Sequence, residues 1–170
     1  MTRQDPPAFD PEGLLSVLTK NHVDFVLIGA FGAVLHGSPM PTQDVDICPK
    51  RDTDNLGRLA AILLVDLLAL WEATGSPFAS TLEEAEARLK SESILSFQTR
   101  LGHLDVVFEP AGTAGYKDLV RHAVTYKIGR STVQTSSLAD IIRSKEAAHR
   151  ERDLQQLPTL RKLLERKRDR

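Results

Sequence analysis

The twenty residues from Ile28 to Ile47 constrain this 170-residue chain more than any other stretch. They read Ile-Gly-Ala-Phe-Gly-Ala-Val-Leu-His-Gly-Ser-Pro-Met-Pro-Thr-Gln-Asp-Val-Asp-Ile. The apolar run Asp24 to Ile28 predicts a buried strand that ends at Gly29. Gly29 carries no Cβ, so backbone can approach a ligand closely there. Ala30 to His36 is compatible with a short helix, whose first N–H groups are free to face an anion. Gly37-Ser38-Pro39 and Pro41 stop it. Gln43 to Cys48 then alternates polar and apolar residues, a second strand with one polar face. Positions i and i+2 of a strand share a face, so Asp44 and Asp46 aim two carboxylates at one spot, ~6–7 Å apart at the backbone.

Carboxylates held together repel, and burial would force one of them to take up a proton. A divalent cation removes the conflict, and Mg²⁺ takes oxygen ligands while keeping places for water and substrate phosphates. Asp105, in Leu104-Asp105-Val106, is again polar between apolar neighbours on a predicted strand. If that strand lies beside the Asp-Val-Asp strand, three aspartates converge. They can then hold two metal ions, one orienting a triphosphate and the other activating an attacking hydroxyl.

The rest of the chain reads as a mixed α/β domain. Asp10-Pro11-Glu12 opens a helix that runs to about Asn21. Asp52-Thr53-Asp54 caps a long helix through about Thr74, which Gly75-Ser76-Pro77 breaks. Thr81 to Lys90 forms another helix, with Glu84 three residues after its Thr81 cap. Ser93 to Thr99 and Leu104 to Phe108 make a hairpin around Arg100-Leu101-Gly102-His103. Tyr116 to His122 is a short helix, and two short strands, Val124 to Ile128 and Ser131 to Gln134, follow. Ser137 caps a helix through about Arg150, and a last helix occupies Leu154 to about Lys167. Residues 1–135 form the core, and 136–170 are a helical layer packed on it within one domain.

Composition excludes several alternatives. Cys48 is the single cysteine, which rules out an internal disulfide framework and a cysteine-based zinc cluster and suits a reducing cytoplasm. The polar start Met1-Thr2-Arg3-Gln4-Asp5-Pro6-Pro7 lacks the apolar core of a signal peptide. The most apolar stretch, Leu59 to Trp71, contains Asp66 and is shorter than a membrane span needs. Net charge is −1, yet residues 141–170 hold ten basic and five acidic side chains. That basic end is either a solvated helix face or a contact for a polyanion. Trp71, Phe97, Phe108 and Cys48 read as core residues, and His36 and His103 as turn or loop residues. Tyr116 is a candidate to stack on a nucleotide base.

The order apolar-Gly-small, thirteen residues (31–43), Asp-apolar-Asp-apolar, then a distant apolar-Asp-apolar resembles the nucleotidyltransferases of the DNA polymerase β superfamily. Within it the chain is most similar to the AbiEii-like enzymes, which include MenT-type toxins of bacterial toxin–antitoxin systems. The segment Ser144 to Leu154 resembles the Lys-then-Arg-x-x-Asp helical signature of AbiEii-like proteins. The resemblance implies a short mixed sheet flanked by helices. It makes Asp44, Asp46 and Asp105 the Mg²⁺ ligands, with Asp105 also the base for the acceptor hydroxyl. Gly29 would begin the triphosphate loop, Lys145 would meet phosphate with Arg150 as helper, and Asp153 would support the site. The chain departs from the pattern at Ala30, where a second Gly or a Ser is common, and at Met40-Pro41, where related loops often carry Arg. Ser38 and Thr42 are left as donors of hydroxyl or loop N–H contacts. As an ordinary alternative, Asp153 caps the last helix.

The function expected from these residues is transfer of a nucleoside monophosphate from an NTP to an acceptor hydroxyl. By resemblance the acceptor is a tRNA 3′ end and the protein a toxin with a cognate antitoxin. Two rivals stay open at this point: the same chemistry on a protein partner, as in an antitoxin that adenylylates its toxin, or on a small molecule such as an aminoglycoside, and a non-catalytic nucleotide-binding protein with a degenerate site.

Overall fold

Alternation decides which way each strand of this chain faces. The computed structural model describes residues 7–170, so Met1–Pro6 of the polar N-terminus lies outside the described residues. In β2 (Asp44–Pro49), Val45 and Ile47 are fully buried while Asp44 and Asp46 are half-buried on the opposite side. In β5 (Gly102–Val107), Leu104 and Val106 are buried and His103 and Asp105 face the other way. The remaining strands are β1 (Phe25–Ile28), β3 (Leu70–Trp71), β4 (Ile94–Thr99), β6 (Val124–Ile128) and β7 (Ser131–Thr135). They form one sheet in the order β3-β4-β5-β2-β1-β7-β6. The β2·β5 and β1·β7 pairs are parallel and the others antiparallel.

Helices cover the two faces unequally. The larger core joins Leu14, Leu15 and Leu18 of α1 (Pro11–Lys20), Leu56 and Leu59 of α3 (Thr53–Ala61), and Ala85 and Leu89 of α4 (Leu82–Ser91) to one sheet face. On the other face Leu119 of α5 (Tyr116–Leu119) packs with Val26, Ile28 and Cys48, and Val107 lies against them. A third cluster fastens α6 (Leu138–Ala148) and α7 (Glu151–Arg168) to α2 (Gly29–Leu35), through Ala33, Ile141, Leu157 and Leu160. The sheet face carrying the aspartates is therefore open between α5 and the α6–α7 pair. Cys48 shares the face of Asp44 and Asp46 yet is core there, beneath Leu119, and burial pushes its thiol up to about 12.

Helix starts follow their caps. Asp10 accepts from the Gly13 N–H, Thr81 from Glu84, and Ser137 from Asp140, as the sequence predicts. Asn55, fully buried at the start of α3, ties two strand ends together: it accepts from the Asp24 N–H and donates to the Asp24 and Lys50 carbonyls.

Three boundaries differ from the sequence reading. The expected helix to Thr74 ends at Ala61, passes through a π-helical turn at Ile62–Asp66, and gives way to β3. An unbroken apolar run does not distinguish helix from strand by period. Here tertiary packing decides, because Trp71 stacks on Phe97 (5.4 Å between centroids) and meets Phe78 edge-on. The β4–β5 hairpin turns over Arg100–Leu101 alone, since Thr99 pairs with Gly102, which moves His103 from the expected turn into the strand. Finally, α6 stops at Ala148 with His149 in a left-handed conformation (φ +54°), and α7 starts at Glu151. Asp153 is thus inside the first turn of α7, not its cap.

The result is a mixed α+β fold with seven α-helices and a seven-stranded mixed sheet among the described residues. Among them, no helix is long and apolar enough to cross a membrane.

Candidate functional site

The parallel pairing of β2 with β5 sets Asp46 directly opposite Asp105 and Asp44 opposite His103. Parallel neighbours in register share a face, so all three aspartates project to the open side of the sheet. Asp46 is enclosed by the surrounding protein. Burial pushes its carboxyl up to about 7; the charge of Asp105, a hydrogen bond with it, and the charge of Asp44 add to the rise, against the pull of Lys145. A carboxylate cluster this crowded either keeps a proton or takes a cation, and its all-oxygen donors suit a hard divalent ion.

Gly29 is the residue that lets Asp46 sit where it does. It has φ +68°, and a Cβ built on it would come within 2.2 Å of Asp46 Oδ2. Gly29→Ala is therefore expected to lose on the order of 1–2 kcal/mol from the left-handed backbone alone, and more from displacing Asp46. Urea unfolding of the variant measures it, and wild-type stability would show that the contact yields freely.

The aspartates line a cleft of about 800 Å³. Gly29, Ala30 and Thr42 line one side, and Lys145, Arg150 and Asp153 stand on the wall built by α6 and α7. Lys145 and Asp153 are a buried pair, Nζ to Oδ1 3.4 Å, with side chains only 11% and 1% exposed. Arg150 donates to the other oxygen of Asp153 at 2.7 Å from the solvent side. Burial draws the Lys145 ammonium down, opposed by its pairing with Asp153. Burial alone would raise Asp153, but the Arg150 hydrogen bond and the Lys145 and Arg150 charges outweigh it, and the carboxyl titrates below its ordinary range. Asp153 thus holds the Lys145 amine toward the cleft, which is more than a cap would do.

Two sequence candidates stand elsewhere. Ser38 is buried, its hydroxyl accepts from the Met40 N–H at 3.3 Å, and it does not line the cleft. Tyr116 packs on the Val26–Cys48 cluster and borders a separate hollow, not the cleft that holds the aspartates. Gly37 and the following prolines steer Ser38 inward, and the apolar neighbours of Tyr116 hold its ring. His36 is a structural residue: its Nε2–H donates to the Ser136 carbonyl (2.8 Å) and its Nδ1 accepts from the Tyr126 hydroxyl (2.9 Å).

Sequence reasoning passed over two residues beside the carboxylates. His103 Nε2 lies 3.1 Å from Asp105 Oδ1, and Glu72 Oε2 approaches the same nitrogen at 3.7 Å. The signal for His103 was its place two residues before Asp105, which puts both on one face once the hairpin turn is read as two residues. Glu72 had no local signal, because only the edge pairing of β3 brings it near. Compared with models of known protein families and with curated proteins, the chain matches none.

Proposed function

We propose that this protein is a metal-dependent nucleotidyltransferase with a polymerase β-like core, moving a nucleoside monophosphate from an NTP to an acceptor hydroxyl. The observation that supports it best is the cleft that has Asp44, Asp46 and Asp105 on its floor and the buried amine of Lys145 on its wall. The resemblance to AbiEii-like enzymes rests on the same residues. Asp44, Asp46 and Asp105 would hold Mg²⁺, in one or two ions, which neutralises the triphosphate and acidifies the acceptor hydroxyl. The acceptor oxygen attacks the α-phosphorus as the bond from that phosphorus to the bridging oxygen breaks, and pyrophosphate leaves with the electron pair. Asp105 takes the hydroxyl proton. Lys145, oriented by Asp153, compensates charge on the triphosphate, and catalysis is chiefly positioning and preorganised electrostatics.

For the acceptor, the AbiEii-like resemblance and the basic exposed end of α7 (Arg166, Lys167, Arg168) favour a tRNA 3′ end. The protein is then a toxin working in the cytoplasm and held in check by a cognate antitoxin. Incubation with each labelled NTP, Mg²⁺ and total tRNA is expected to label tRNA with wild type and not with Asp46→Ala. Label found only on a partner protein would move the acceptor assignment, and the absence of any nucleotide binding would overturn the catalytic reading.

A further inference from the structure

Beside Asp44 and Asp46, the open face of the sheet carries a mixed nitrogen and oxygen cluster that shares Asp105 with them. Glu72, just past β3, donates its N–H to the Ser96 carbonyl at 3.1 Å, and Ser96 pairs with Asp105. Glu72, Ser96 and Asp105 therefore form a row across three neighbouring segments, and the small Ser96 side chain leaves the Glu72 carboxylate room to reach His103. One oxygen of Glu72, Nε2 of His103 and one oxygen of Asp105 all lie within 4.8 Å of one another. The two contacts to Nε2 measure 3.1 and 3.7 Å.

A single imidazole nitrogen has one proton at most, so it cannot hydrogen-bond both carboxylates, and the 3.7 Å contact is too long to be such a bond. The donor atoms of a tetrahedral ion with bonds of ~2.0–2.1 Å lie roughly 3.3 Å apart, a spacing that the two contacts bracket. Two carboxylates beside a neutral imidazole carry a charge that one dication cancels. Imidazole is also a ligand of the borderline metals, unlike the hard Mg²⁺ expected among carboxylates alone. His103 is 15% exposed and pre-positioned on a strand, while the Glu72 side chain is 58% exposed, which gives an ion a way in and an open coordination position for water.

We propose that Glu72, His103 and Asp105 form a binding site for a divalent transition-metal ion of the Zn²⁺ or Co²⁺ type. The site stands on its own geometry and does not require that the cleft transfer nucleotides. Its test is titration of the full chain with Co²⁺ in an excess of Mg²⁺, followed through visible d–d absorption. Wild type should develop the bands and lose them when Zn²⁺ is added. Loss of even an outer-shell partner costs a metal site about 10–100-fold in affinity. His103→Asn and Glu72→Gln, each removing a direct ligand, should therefore weaken Co²⁺ binding by at least about tenfold. Glu72→Gln changes an exposed side chain and keeps the test open should His103→Asn fail to fold. Absence of bands in wild type, their erasure by Mg²⁺, or their survival at full affinity in either folded variant would overturn the proposal. Labelling of tRNA lost in Asp46→Ala would stand regardless of that result.

Discussion

Asp46→Asn is expected to abolish the proposed nucleotidyl transfer and at the same time to make the metal-free protein more stable at neutral pH. The activity part follows from charge. A metal-held transition state draws several kcal/mol from its carboxylates, so the loss should be at least about a thousandfold. The stability part follows from burial. Asp46 is pushed from an ordinary value of 3.8 up to about 7, so between those values the folded chain holds a proton that the unfolded chain has released. Stability of the metal-free wild type therefore falls as pH rises from about 4 to about 7, by on the order of 4 kcal/mol at most. Asn has the shape of protonated Asp, keeps a hydrogen bond to Asp105, and does not titrate. Urea unfolding in EDTA across that range should show the decline in wild type and its loss in Asp46→Asn. A divalent cation should restore wild-type stability at pH 7 by binding only the folded form. Parallel curves for the two proteins would mean that burial does not hold a proton on Asp46.

The second large effect is expected at Asp153. Removing one partner of a buried ion pair leaves the other charge without compensation and costs about 3–5 kcal/mol. Asp153→Ala leaves Lys145 in that position, with its side chain only 11% exposed, so the variant should lose stability in that range. Lys145→Met should cost less, because Asp153 keeps the 2.7 Å bond from Arg150. Arg150→Ala, on a side chain 68% exposed, should cost no more than about 1 kcal/mol. Denaturant unfolding of the three variants checks the order. Equal losses would mean that Asp153 has no special hold on Lys145.

These two sites differ in how they could be read from the chain. Asp44 and Asp46 announce themselves through a two-residue period between apolar neighbours, and the caps at Asp10, Thr81 and Ser137 are equally local. Asp105 is recognisable as a polar residue between apolar neighbours, but its value depends on β5 lying next to β2, and 52 residues of helix and strand separate the ends of the two. His103 reads as a turn residue in the sequence because Arg100-Leu101-Gly102-His103 suits a four-residue turn, where the chain makes a two-residue one. The helix expected to reach Thr74 fails for a different reason. Its apolar run is consistent with either structure, and the aromatic contacts of Trp71 with Phe78 and Phe97 choose the strand.

What the chain determines unaided is therefore whatever depends on neighbours a few positions away: helix starts, strand faces, the pairing of Asp44 with Asp46 on one side, and the glycine that must precede them. What tertiary structure alone decides is adjacency between distant segments. It sets Asp46 against Asp105, brings Glu72 across to His103, and folds Lys145 onto Asp153. The reason is physical. Periodicity and capping are settled by backbone geometry within a turn or two, whereas the choice of a strand's neighbour is settled by which arrangement buries Phe97, Ile47 and Val106 together. No one segment of the chain carries that information by itself.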